Sequence, residues 1–154
     1  MADRRRPPGS GRTLPPALEP FGELLKQSPL AILVVDLDGK VLMWNPEAER
    51  LFGWKEDEVV GRTPPHVPPD AIPKMFEFIR KATEGDPTRG TEAVRVRRDG
   101  SRVNVLVHTA ALRDRDGDVV GVMGMFVDVT ERRQIEIRMR NAQKMEAVGL
   151  LAGG

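Results

Sequence analysis

Residues 30–62 read LAILVVDLDGKVLMWNPEAERLFGWKEDEVVGR, and the succession of signals in this stretch decides the fold. Leu30 to Asp36 is a β-branched apolar run of strand length, Asp38-Gly39 is a two-residue hairpin signal, and Val41 to Trp44 is the return strand. Asn45-Pro46-Glu47 then starts a helix: Asn caps free N–H groups, Pro suits the first helical position, and Glu suits the positive end of the dipole. Ala48, Leu51 and Phe52 supply its buried stripe, and Gly53 stops it. Glu56 to Val60 predicts a further helical turn, ended by Gly61.

Working towards the N-terminus, residues 1–20 carry five prolines, two glycines and four arginines, a composition with nothing to bury. A disordered leader is expected there. Phe21 to Gln27 predicts a short helix with Phe21, Leu24 and Leu25 on one side, ended at Ser28-Pro29. Towards the C-terminus, TPPHVPPD (63–70) has four prolines and excludes regular structure. Asp70 can cap the next helix, whose apolar face is Ile72, Met75, Phe76 and Ile79. Gly85-Asp86-Pro87 ends it.

From Thr91 the period switches to two. Val94 and Val96 alternate with Arg95 and Arg97, Asp99-Gly100 turns the chain, Val103, Val105 and Val107 alternate again, and Asp116-Gly117 makes a third turn. Val119 to Val129 is apolar on both faces, so something covers each side. The order predicts an α+β domain: a five-stranded antiparallel sheet with short helices on one face. From Thr130 the chain becomes a charged helix in which Ile135, Met139, Ala142, Met145, Val148 and Ala152 recur at steps of four, three, three, three and four. That is a coiled-coil-like seam with a slight stutter, and a second copy in a parallel homodimer is its natural partner.

Lys and Arg total 24 against 23 for Asp and Glu in 154 residues, which leaves no electrostatic footprint for nucleic acid. The absence of cysteine excludes disulfides, thiolate zinc sites and cysteine nucleophiles, and two histidines argue against a metal cluster. Apolar runs such as Leu30 to Val35 are too short for membrane insertion. No apolar segment follows the N-terminal arginines, so no secretory signal is read and a cytoplasmic location is expected. No nucleophile–base pair or convergent carboxylate pair stands at motif spacing.

The stretch 30–62, with its hairpin turn, W-N-P-x-A-E-x-L-F-G helix and trailing V-V-G-R, resembles the first half of a PAS (sensory box) domain. Arg98-Asp99-Gly100-Ser101 and Asp128-Val129-Thr130 resemble the later hairpin and terminal Asp-x-Thr of the same family. QKMEAVGLLAGG (143–154) resembles the start of the dimerisation and phosphotransfer helix of sensor histidine kinases. The resemblance divides the chain into a leader (1–20), a PAS sensor domain (21–130) and a signalling helix (131–154). It implies a fold, and a signal-input role upstream of a kinase domain and a response regulator. The phosphoacceptor histidine would lie beyond Gly154, so this stretch is not itself expected to be an enzyme, although its parent would be a histidine protein kinase. The chain departs from the family at Lys55, where Ser or Thr usually caps the second helix, at Trp54, where Tyr is common, and in the proline-rich loop.

The resemblance also points to site residues. Asp128 and Thr130 would tie the sheet to the output helix, Thr130 as helix cap and Asp128 paired with Arg132 or Arg133; a plain helix cap is the simpler reading. Ile72, Met75, Phe76, Ile79, Val103, Val105, Met123 and Met125 would line a pocket for a small apolar ligand, or fill a core that holds none. No cofactor is evident. His66 is weighed as a haem ligand against an exposed loop imidazole, and Trp44 and Trp54 as flavin-stacking groups against core packing. His108 should face away from Val103, Val105 and Val107.

Overall fold

The computed structural model describes residues 14–152, with side chains to residue 150. The expected leader's first thirteen residues and the last two residues lie outside this range. In chain order the elements are α1 (Glu19–Lys26), β1 (Ala31–Val35), β2 (Val41–Trp44), α2 (Pro46–Phe52), α3 (Glu56–Val59), α4 (Ile72–Thr83), β3 (Arg89–Val96), β4 (Arg102–Arg113), β5 (Val119–Asp128) and α5 (Thr130–Ala152). A 3₁₀ turn, Pro69–Ala71, precedes α4, whose start Asp70 does not cap. The strands form one sheet in the order β2-β1-β5-β4-β3, with every pairing antiparallel. No helix among the described residues is long and apolar enough to cross a membrane.

The three Asp-Gly hairpins share a geometry different from the two-residue turn their sequence suggests. Asp36 N–H donates to Lys40 C=O, Arg97 to Ser101 and Asp114 to Asp118, so each loop has three residues. Only the glycines adopt positive φ (Gly39 +76°, Gly100 +85°, Gly117 +88°), which rules out a type I′ turn. Each is a type I turn followed by a left-handed glycine bulge.

The sheet has two covered faces. On one, α2, α3 and α4 pack over Ala31, Leu33, Val35, Val103, Val105, Val107, Val122 and Phe126. On the other, Ile32, Val34, Leu42 and Met43 are buried, with Leu14 and Leu25 packed against them. Residues 14–20 therefore correct the expected leader: Leu18 is buried, Leu14 packs on the sheet, and Glu19 and Pro20 already belong to α1. The segment covers a face that would otherwise expose aliphatic side chains.

Asn45 holds the two layers together. Its side-chain oxygen accepts from Ala48 N–H (2.9 Å), capping α2, and from Ile32 N–H (2.9 Å) in β1. Its amide donates to Leu30 C=O (2.8 Å) and Leu25 C=O (3.1 Å), the latter in α1. All four hydrogen-bonding positions of this fully buried amide are used. Asn45→Ala removes the cap and strands three buried or half-buried backbone groups. We predict a loss of about 3 kcal/mol in urea unfolding with an unchanged denaturant slope.

Candidate functional site

Two places carry polar chemistry that packing alone does not require: a small cavity between α4 and the sheet, and the junction of β5 with α5.

The cavity has a volume of about 40 Å³ and lies among Leu33, Val35, Val67, Met75, Phe78, Ile79, Val107, Val122 and Phe126. Three polar side chains join these walls: His66, Arg95 and Thr109. Neither His66 nor Arg95 is where its sequence context suggests. His66 is 1% exposed, not an exposed loop imidazole. Its ring lies 4.3 Å from Phe52 and 5.2 Å from both Trp44 and Phe126, centroid to centroid. The loop can be buried because its four prolines bring no N–H groups that need partners. It is anchored to β3 by the Val96 N–H, which donates to His66 C=O at 2.9 Å.

Arg95 reverses the apparent sense of the β3 alternation. Valines 103, 105 and 107 fix the inward face of β4, and the register pairs Arg95 with Val103 and Ala93 with Val105. Arg95 therefore points inward at 4% exposure, while Val94, opposite Asn104, faces out. One Nη donates to Val94 C=O at 3.0 Å, but Nε has no partner among the described residues. Burial lowers its pKa to about 10, so it remains a cation at neutral pH. Burial, and secondarily the Arg95 charge, holds the His66 imidazole well below its usual value, and neither ring nitrogen has a hydrogen-bond partner among the described residues.

The residues named from sequence as pocket lining divide between places. Met75 and Ile79 are on the cavity wall. Val103 and Val105 are buried in the same core beyond it, and Ile72 is half-buried at its edge. Phe76 is a correction: it is 43% exposed, because the buried stripe of α4 is Met75, Phe78, Ile79 and Ala82, rotated from the expected one. Met123 and Met125 are also corrections. Phe126 and Val122 face the cavity, so these two methionines point to the opposite face, beside Leu25 and Leu112. Trp44 is wholly buried, its indole N–H donating to Trp54 C=O at 3.0 Å, and Trp54 packs half-buried against the same core. His108 lies on the outer face, paired across the sheet with Met125. As folded, the cavity falls about an order of magnitude below the space a haem or flavin needs.

At the junction only Val129 separates β5 from α5. Asp128 accepts from Thr130 N–H (2.9 Å), and the Thr130 hydroxyl accepts from Asn104 N–H (3.1 Å) in β4. Val129 N–H donates to Asn104 C=O (2.9 Å). The Thr130 hydroxyl therefore bonds to the sheet and does not cap its own helix, and it is Asp128 that accepts at the helix start. Asp128 pairs with Arg97 (3.8 Å) and not with Arg132 or Arg133. Arg97 lies on the adjacent hairpin and is within reach, whereas Arg133 turns back to Glu92 in β3 and Arg132 runs along the helix to Glu136. Arg97 also donates to Leu51 C=O (3.1 Å), which links the junction to α2.

This sheet order, with helices packed on one face and a helix leaving the central strand, defines a sensory-domain architecture. The sequence matches the PAS fold family over residues 25–134, and the chain belongs to that family. It is 34% identical over 111 residues to the C4-dicarboxylate transport sensor protein DctS of Rhodobacter capsulatus, covering 70% of this chain and 17% of that protein. The PAS domain of BvgS from Bordetella pertussis superposes with a TM-score of 0.62 at 28% identity, covering 83% of this chain and 97% of that structure. An RNA-binding light-oxygen-voltage receptor superposes at 0.63 with 28% identity, covering 90% of this chain and 41% of that structure. The chain spans a fifth or less of the length of the curated relatives DctS, AtoS and BvgS.

The buried imidazole sets a pH dependence. The unfolded chain protonates His66 near pH 6.5 and the folded chain does so only at lower pH, so below about 6.5 the unfolded state binds more protons. Stability is therefore complete above that pH and falls as pH drops towards the folded value, at up to about 1.4 kcal/mol per pH unit. Urea unfolding of wild type and His66→Phe between about pH 5 and 7 checks this, with the variant expected to lose most of that slope.

Proposed function

We propose that this chain is the signal-input module of a sensor histidine kinase, and that it passes a change in its core through the end of β5 to a pair of α5 helices. The observation that carries this reading is the stiff join between sheet and helix, where a single residue separates the two and polar contacts to β3, β4 and the β3–β4 hairpin fix the first helical turn. A helix so held reports the position of the sheet.

The free face of α5 supports pairing. Ile135, Met139, Met145 and Val148 are exposed, Met139 and Val148 at 60% each, along the seam spacing. Leu150 and Ile137 are exposed beside it. A parallel second copy would cover these side chains and bring two downstream kinase segments together. The similarity to DctS, AtoS and BvgS supports a kinase and response-regulator context for the parent. A core that phosphorylates from ATP works where ATP is, so we assign the domain to the cytoplasm. Within the present cavity the reading calls for neither haem nor flavin.

Asp128→Ala and Thr130→Ala in the kinase-containing parent should each change the ratio of stimulated to basal autophosphorylation by about fivefold or more. Unchanged phosphorylation in both would remove the relay. Separately, Met139→Glu with Val148→Glu in this chain should shift a light-scattering mass from dimer to monomer, weakening association by at least about tenfold.

A further inference from the structure

We propose that Arg95 guards the free edge of β3 against pairing with the β3 of a second copy of this chain. This is independent of the signal-input reading and follows from the register of the sheet and the place where the guanidinium ends.

β3 is the last strand of the sheet, and no further strand among the described residues lies beyond it. Val96 N–H donates to His66 C=O and so points away from β4. Alternation in an antiparallel ladder then turns the backbone groups of Val94 and Glu92 to the same free side. Asn104, opposite Val94, agrees: its N–H and C=O bond to Thr130 and Val129, on the side away from β3. The other edge of the sheet is closed by the chain itself, since Val41 in β2 donates to Arg62 C=O and accepts from Gly61 N–H. On β3 the loop closes only the Val96 end, and a bulge between Arg89 and Thr91 breaks the regular ladder at the other. Glu92 to Val94 is left between them.

That stretch is self-complementary. Two copies related by a twofold axis through Ala93 would pair Glu92 of each with Val94 of the other and exchange four backbone hydrogen bonds, roughly the minimum for a short ladder. Half of those bonds would end on Val94 C=O. Arg95 already occupies that carbonyl, its Nη donating at 3.0 Å from a side chain rooted on the inner face. An incoming strand would have to displace the guanidinium and seal it in. Arg95 belongs to none of the ion pairs among the described residues, so the sealed cation would have no anion to answer it. An inward-pointing charge on an edge strand blocks strand addition in this way. The same role accounts for a cation buried at 4% exposure: an apolar side chain would suit the core better and would leave Val94 C=O open to a partner.

The test uses the 154-residue chain carrying Met139→Glu and Val148→Glu, so that pairing through α5 does not contribute. Sedimentation measures its mass between about 10 and 500 µM. With Arg95 in place the chain should hold one mass across this range. Arg95→Met should self-associate with a Kd of about 0.1 mM, at least about tenfold tighter than Arg95→Lys, which keeps the inward charge. Adding Val94→Pro to Arg95→Met should restore the original mass. Residue 94 turns its N–H to the edge, so proline there removes a pairing donor without breaking a bond to β4. Urea unfolding checks that each variant is folded, and should Arg95→Met not fold, the neutral, polar Arg95→Gln takes its place. A folded neutral variant that gains no association would overturn the proposal, and so would association that Val94→Pro leaves unchanged. The chain with Arg95 intact decides separately: protection of the Glu92 and Val94 amides from hydrogen exchange that grows with concentration would show an unguarded edge and overturn it as well. None of these readouts involves phosphorylation or α5, so the input-module reading stands or falls apart from them.

Discussion

Everything in this domain hangs from a single buried amide. Asn45 leaves no hydrogen-bonding position unused, and its four partners belong to α1, to β1, to the residue just before β1 and to the first turn of α2. An irregular transition from strand to helix is hard to bury because its backbone groups lack regular partners. Asn45 resolves that at one point, so β2 can run straight into α2 beneath the sheet. Pro46 follows without an N–H to satisfy, and Phe52 at the far end of α2 reaches the aromatic cluster around His66. The cap, the layer contact and the placing of Phe52 against His66 are thus consequences of the same side chain.

The sheet, its order of elements and the long final helix are legible in the sequence because they rest on local signals. Period-two valines, three Asp-Gly pairs and an Asn-Pro-Glu helix start need no knowledge of the neighbours. The inside of the domain is less legible, for reasons that differ by residue. In β3 the alternation of valine and arginine names two faces but not which is inner. The register with β4 decides that, and it places the arginine inside. In α4 both Ile72-Met75-Phe76-Ile79 and Met75-Phe78-Ile79-Ala82 satisfy the helical period. Only the position of the helix over β4 and β5 selects the second. A strand apolar on both sides, such as β5, gives no sign in its own residues of which side meets the helices, and Met123 and Met125 fall on the side covered by the N-terminal segment. His66 sits in a segment whose prolines announce irregular backbone. The same prolines make irregular backbone inexpensive to bury, and that was the available signal.

The cavity and the junction are not separate devices. β5 occupies the centre of the sheet, and its Val122, Gly124 and Phe126 form one wall of the cavity a few residues before Asp128. β4 contributes Val107 and Thr109 to the cavity and Asn104 to the helix anchor. β3 contributes Arg95 on one side and Glu92, the partner of Arg133, on the other. Each of the three strands that meet α5 therefore also touches the buried polar cluster.

That shared ownership has a geometric result. α5 is 23 residues long, about 34 Å at the usual rise, and its anchors all fall within its first turn, about 5 Å of its length. It is a lever arm with a short fulcrum. A tilt that moves one anchor by half an ångström displaces the far end by about 3 Å, more than half a helical turn. A sub-ångström adjustment among packed strands is thereby magnified to a scale at which facing side chains change neighbours.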